Sequence, residues 1–118
     1  MPTHESPHFG ILTLLDAQPA WLALSRDRRA EFAAELGGIF ADAAAVRVRY
    51  FDAEAFGHGY TDFIFAETSD LTAYHFMWER IKDAALFTVP YFAIKDVVFG
   101  IEEGYRAYER EVLGRGTA

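Results

Sequence analysis

The stretch Phe9 to Leu15 is apolar almost throughout and of strand length, the pattern of a strand buried on both faces. Pro19 opens a short turn that carries Trp21 and Leu22. Ser25 suits the N-cap of the helix that follows, on which Phe32, Ala33, Leu36, Ile39 and Phe40 share a face. Gly37 and Gly38 weaken its last turn, and the helix should end near Ala41 or Asp42. From Ala45 to Asp52 the period becomes two: Val46, Val48 and Tyr50 point one way, Arg47, Arg49 and Phe51 the other. Ala53 to Gly59, with Gly57-His58-Gly59, reads as a loop, and Tyr60 to Glu67 as a third strand. Thr68-Ser69-Asp70 caps a second helix with a buried stripe of Leu71, Tyr74, Trp78, Ile81 and Ala85. Pro90 sets an extended start for a fourth strand, Tyr91 to Phe99. Ile101, Tyr105, Tyr108 and Val112 then recur at helical spacing, with Glu102 and Arg106 as an i,i+4 pair.

The order β-α-β-β-α-β plus a C-terminal helix predicts an α+β, ferredoxin-like fold with an antiparallel four-stranded sheet. No linker or repeat interrupts it, so residues 9–113 form one domain, with residues 1–8 and 114–118 as flexible termini. Two helices cover one face of such a sheet and leave the other open. In the fourth strand Phe92, Ile94 and Val98 form one apolar set, and Tyr91, Ala93, Val97 and Phe99 the other. Exposing the second set would leave an oversized apolar patch. That set therefore predicts a homodimer closed sheet to sheet, a dimeric α+β barrel. Leu71, Trp78, Phe32, Leu36 and Ile94 should form the core, with Phe76 outside it unless a partner or the last helix covers it.

Composition narrows the class. The chain has 118 residues, 52% of them hydrophobic, which excludes disorder as the main state. Aromatics reach 16%, so the core is ring-rich or a pocket is lined with rings. The absence of cysteine removes disulfides, thiolate metal sites and thiol nucleophiles. A net charge of −7 argues against nucleic acid as a partner. No apolar run approaches a membrane span, and Met1-Pro2-Thr3-His4-Glu5 lacks the pattern of a signal peptide. The expectation is a cytoplasmic protein.

Several segments then stand out together. They are Pro19-Ala20-Trp21-Leu22, Leu24-Ser25-Arg26-Asp27, Arg49-Tyr50-Phe51-Asp52-Ala53-Glu54-Ala55-Phe56 and Thr61-Asp62. Further along come Glu67-Thr68-Ser69-Asp70-Leu71 with Tyr74, then Tyr91-Phe92, Gly100-Ile101-Glu102 and Tyr105. Over roughly Phe9 to Tyr108 the chain resembles the darcynin family of small bacterial proteins. The phrase around Phe51-Asp52-Ala53-Glu54 is the most specific part. The resemblance implies no established activity and no catalytic residue to carry over. Gly57-His58-Gly59 lies outside the family pattern, so any role of His58 would be peculiar to this chain.

No nucleotide-binding, nucleophile-elbow or metalloprotease motif is present, so candidate chemistry is read from pairs. His75 and Glu79 are four apart on a helix, too few for a metal site. Histidine as a residue type titrates near neutrality, which makes His75 the best acid–base candidate, at the margin of the core. Tyr50 and Asp52 share the strand face assigned to the helices, and Asp62 lies near them across the hairpin. The bland reading has these carboxylates capping turns. Trp21, Tyr74, Trp78 and Tyr50 either line one cavity or fill it. Arg47 and Arg49, on the opposite face at the sheet edge, should bridge to acidic groups across the dimer, with anion binding as the alternative; His4 and His8 have no role.

Three readings follow, the last of them an orphan structural dimer with a filled core. The first is a cofactor-independent enzyme transferring protons on a hydrophobic or aromatic metabolite. His75, Asp52 and Tyr50 would be catalytic, with Trp78, Tyr74 and Asp62 binding the ligand between sheet and second helix. The alternative is a non-catalytic homodimeric ligand-binding or regulatory module. No metal or cofactor is expected; a haem would need a histidine aimed into a large pocket. Convergence of His75 and Asp52 on one cavity separates the first two.

Overall fold

A computed structural model describes residues 6–115. The strands are β1 (Phe9–Ala17), β2 (Val46–Asp52), β3 (Asp62–Thr68) and β4 (Phe92–Ile101). The helices are α1 (Pro19–Leu22), α2 (Arg26–Asp42), α3 (Leu71–Asp83), α4 (Ala85–Thr88) and α5 (Gly104–Glu111). The strands form one sheet in the order β2-β3-β1-β4, each pair antiparallel. This is the expected ferredoxin-like arrangement of a four-stranded antiparallel sheet with helices.

Period-two alternation builds the sheet's inner face. Ile11, Thr13 and Leu15 of β1 and Ile64, Ala66 and Thr68 of β3 are all nearly inaccessible. The helices bring Phe32, Leu36 and Ile39 from α2, and Met77, Trp78 and Ile81 from α3, onto that face. Both long helices start where the sequence signals it. Ser25 Oγ accepts the Arg28 N–H at 3.1 Å, and Asp70 Oδ1 accepts the Ala73 N–H at 2.9 Å. α2 ends at Asp42, as expected, with Gly37 and Gly38 inside it.

The fourth strand departs from the simple alternation. Leu14 pairs with Asp96 but Leu15 with Ile94, so Lys95 is an extra residue in β4. This β-bulge reverses the facing of everything after it. Asp96 Oδ1 accepts the Val97 N–H at 2.8 Å and satisfies a backbone donor at the bulge. Val97 and Phe99 therefore pair with Thr13 and Ile11 on the helix side, not on the open face. Tyr91 also turns to the helix side, its ring against Trp21 and Phe32. Of the residues expected on the open face, Ala93 alone stays there, and Val98 joins it.

The open face instead carries Leu12 and Leu14, Phe63 and Phe65, and Phe51. Phe51 stacks on Phe63 at 4.7 Å, and the Arg49 guanidinium lies over Phe65 at 5.4 Å. Arg49 reaches Glu67 at 3.9 Å within the same chain, and Glu67 also meets His8 at 3.3 Å.

Other expectations shift locally. Trp78, Phe32 and Leu36 are buried, but Leu71 and Ile94 are exposed, at the first position of α3 and beside the bulge. Ala33 of α2 is exposed as well. The second helix breaks at Ala84, whose backbone is extended, and Ala85 begins α4. Ile101 remains in β4, and Arg106 pairs with Glu103 at 3.4 Å, not with Glu102. Phe76 is exposed as expected. His4 lies outside the described residues.

Candidate functional site

One end of the β2–β3 hairpin gathers the predicted polar residues. Asp52 and Asp62 are directly paired across the two strands. Like charges in that position repel, and each carboxylate has its own donor. The Tyr50 hydroxyl donates to Asp62 Oδ2 at 2.8 Å, and the Glu54 N–H donates to Asp52 Oδ1 at 3.1 Å. Asp52 thus caps the turn that follows, where the Phe56 and Gly57 N–H groups close on the Ala53 carbonyl. Gly57 is required there, since a Cβ would stand 2.9 Å from the Tyr60 ring. Burial first, then the Asp62 carboxylate and its hydrogen bond, then Asp52, hold the Tyr50 phenol well above its ordinary value. Tyr50 is accordingly a fixed hydrogen-bond donor and not a base.

The predicted ring cluster divides in two. Trp21 packs with Phe92 at 4.9 Å and with Phe32 and Tyr91, a cluster under α1 and α2. Trp78 meets Tyr74 edge-on at 6.5 Å and Phe87 at 5.8 Å. Burial pushes the Tyr74 phenol up, against the opposing pull of the Thr13 hydroxyl and the Trp78 indole. Nε1 of Trp78 is enclosed without an aligned hydrogen-bond partner. The register ties these groups to the polar corner. Tyr50, Ile64, Thr13 and Val97 form one transverse row across the sheet. Tyr50 and Thr13 are two strand spacings apart, about 10 Å.

The structure brings Tyr50, Asp52 and Asp62 together, and Tyr74 with Trp78. It does not bring His75 to either group. Its side chain is 65% exposed on the solvent side of α3, with Glu79 at 4.0 Å. His58 sits in an exposed loop beside Gly59, which has a positive φ of 82°.

A concavity that the sequence did not suggest lies between α2 and α3. It measures about 320 Å³ and is lined by Ile39, Ala43, Ala45, Ala73, Phe76 and Met77. The Arg80–Asp42 ion pair, 2.9 Å, stands at its rim. Its signal was the small-residue run Ala43-Ala44-Ala45, which leaves room beside an exposed ring. Among the described residues, no group of three His, Asp or Glu side chains is arranged to hold a metal ion.

A β2-β3-β1-β4 antiparallel sheet with helices packed on it defines a ferredoxin-like α+β protein. Solved structures share this fold. A heme-binding protein from Thermus thermophilus superposes with a TM-score of 0.73 over 91% of this chain and 46% of that one. A chlorite dismutase from Candidatus Nitrospira defluvii gives 0.71 over 83% and 41%. Both are 13% identical, and the chain spans less than half of either. The chain belongs to the darcynin family, a domain of unknown function that it matches over residues 1–118. It is 42% identical to Darcynin 1 of Acinetobacter baumannii over 75% of this chain and 99% of that protein. A darcynin homolog of Streptomyces avermitilis is 33% identical over 99% of both chains.

Proposed function

We propose that this darcynin is a homodimeric binding module for a small, uncharged aromatic molecule, without acid–base chemistry of its own. The position of His75 carries the reading. Proton transfer needs His75 and Asp52 at one ligand, yet His75 faces solvent beside Glu79 and Asp52 caps a turn. The binding groups are Tyr74 and Trp78, and the enclosed Trp78 Nε1–H, poorly aligned on the Tyr74 oxygen, would serve a better-placed acceptor such as a ketone oxygen. Tyr50, Asp62 and Asp52 form the polar end of the same strip, and their negative charge disfavours anionic ligands. The dimer closes through the open sheet face bearing Leu12, Leu14, Phe63, Phe65, Phe51 and Val98, as an α+β barrel. The reading includes a cytoplasmic setting, supported by a cysteine-free chain without a helix long and apolar enough to cross a membrane among the described residues.

The fold neighbours raise haem as a ligand. The described histidines do not fit it: His8 bonds Glu67, and His58 and His75 are exposed. None is aimed into an apolar cavity as an axial ligand must be.

The test is a thermal-shift and tryptophan-emission titration with 1-indanone and acetophenone as probes. The wild type should show saturable binding that Trp78→Phe abolishes while the protein stays folded, and that His75→Ala leaves unchanged. Binding that survives Trp78→Phe, or disappears with His75→Ala, overturns the assignment; the second outcome returns the proton-transfer reading.

A further inference from the structure

The described residues are far from a sphere. They extend 57 × 30 × 18 Å with a radius of gyration of 17.5 Å, against about 13–14 Å for a compact chain of this length. The C-terminal arm, the outer half of β4 and α5, shows why. α5 buries no residue, and its apolar stripe of Tyr105, Tyr108 and Val112 is exposed. On the helix side of the sheet, α4 covers the start of β4, where Phe92 is buried. Beyond the bulge Val97, Phe99 and Ile101 remain about half exposed, with Phe9 against Phe99 at 5.4 Å. A single arm thus holds an amphipathic helix without a floor and an apolar floor without a helix.

α5 does not fold back onto that floor in its own copy. Two residues connect it to β4, and the Glu102 N–H is fixed on the His8 carbonyl at 2.8 Å. Glu103 adopts a left-handed φ of 46°, and a Cβ at Gly104 would already touch Ile101 at 3.4 Å. This tight corner directs the helix off the sheet.

We propose that α5 is exchanged between two copies of the chain. Each copy would lay its Tyr105–Tyr108–Val112 stripe on Val97, Phe99 and Ile101 of the other. The inference rests on the homodimer proposed above and adds what covers the arm. Area supports a second copy as the occupant. The exposed apolar residues that the exchange would cover, Val97, Phe99, Ile101, Tyr105, Tyr108 and Val112, present on the order of 600 Å² per copy, most of the roughly 800 Å² that each partner gives to a stable protein interface. The arm is apolar on both faces, since Val98 points to the open sheet face and Val97 and Phe99 to the other. A partner meeting the open face alone would leave half of it wet. A negatively charged chain, −7 overall, is also a poor match for an anionic lipid surface.

The absence of native cysteine makes a direct test possible. A Val97→Cys chain and a tagged Tyr108→Cys chain are mixed, allowed to exchange, and treated with a short bismaleimide. The expected product is the tagged–untagged heterodimer. In parallel, sedimentation of Tyr105→Glu/Tyr108→Glu should show dimer affinity weakened roughly a hundredfold, with an unchanged far-ultraviolet spectrum. A wild-type dimer that gives no mixed cross-link and keeps its affinity in the double variant overturns the exchange and leaves the sheet-face dimer standing. A wild type that is monomeric at 50 µM, on the order of a weak transient contact, overturns both.

Discussion

Trp78 joins the core to the candidate site. Its ring is buried among Tyr74, Phe87 and the sheet, so Trp78→Ala should cost about 3–5 kcal/mol through lost contacts and a residual cavity. A urea midpoint unchanged by that substitution would contradict the packing. Trp78→Phe separates packing from hydrogen bonding, because it keeps most of the ring and removes the N–H. Tyr50 makes a pH prediction. Its phenol is held above the ordinary value of 10.0, so above about pH 10 the unfolded chain loses that proton first. The native state then binds more protons, and stability falls as pH rises from there. Below pH 10 the contribution is fully present. Tyr50→Phe should flatten this alkaline loss in denaturation followed from pH 8 to 11; an unchanged slope would mean that Tyr50 ionises as freely as in the unfolded chain.

Elements carry predictions of their own. Gly37 and Gly38 lie inside α2 with open space where a Cβ would stand. Alanine at either position should stabilise the protein by about 0.5–1 kcal/mol, read as a raised melting temperature. The Asp70 cap works the other way, and Asp70→Ala should cost about 1 kcal/mol. The bulge in β4 sets facing more than stability. Deleting Lys95 removes the bulge and leaves Val97 and Phe99 opposite Thr13 and Ile11 on the helix side, because Ile94 and Asp96 then alternate directly. Hydrogen exchange should then report protection beyond residue 96 retained along with that of β1 and β3, and a changed pattern there would contradict the bulge assignment.

At the scale of the molecule, one helical layer leaves an apolar sheet face open. Leu14→Asp, at the centre of that face, should convert the proposed dimer to a monomer in light scattering, because a buried unpaired carboxylate costs several kcal/mol. A dimer that tolerates the charge would move the interface elsewhere. The elongated shape and the exposed arm have the same origin: one copy of this 118-residue chain leaves much apolar surface exposed, which is the surface the proposed dimer would cover.

The sequence by itself determined the order of elements, the antiparallel ferredoxin-like sheet and the starts of both long helices. Those features come from local signals: period-two and helical spacing, Ser25, and Thr68-Ser69-Asp70. It also placed Tyr50 with Asp62, because hairpin partners follow from the period of the two strands. Family membership was legible in the phrases around Asp52 and Asp70. Tertiary structure decided what depends on a single residue of register or a few tens of degrees of helix phase. Lys95 looks like any polar residue in a strand, yet as a bulge it exchanges the faces of Val97 and Val98. His75 lay at the margin of the helix stripe, and the rotation of α3 against the sheet put it in solvent. The four rings expected in one cavity found separate partners in one filled core, Trp21 with Phe92 and Trp78 with Tyr74, and the groove beside Phe76 arose where α2 and α3 meet. Periodicity specifies which residues share a face of one element; only packing fixes which elements those faces meet.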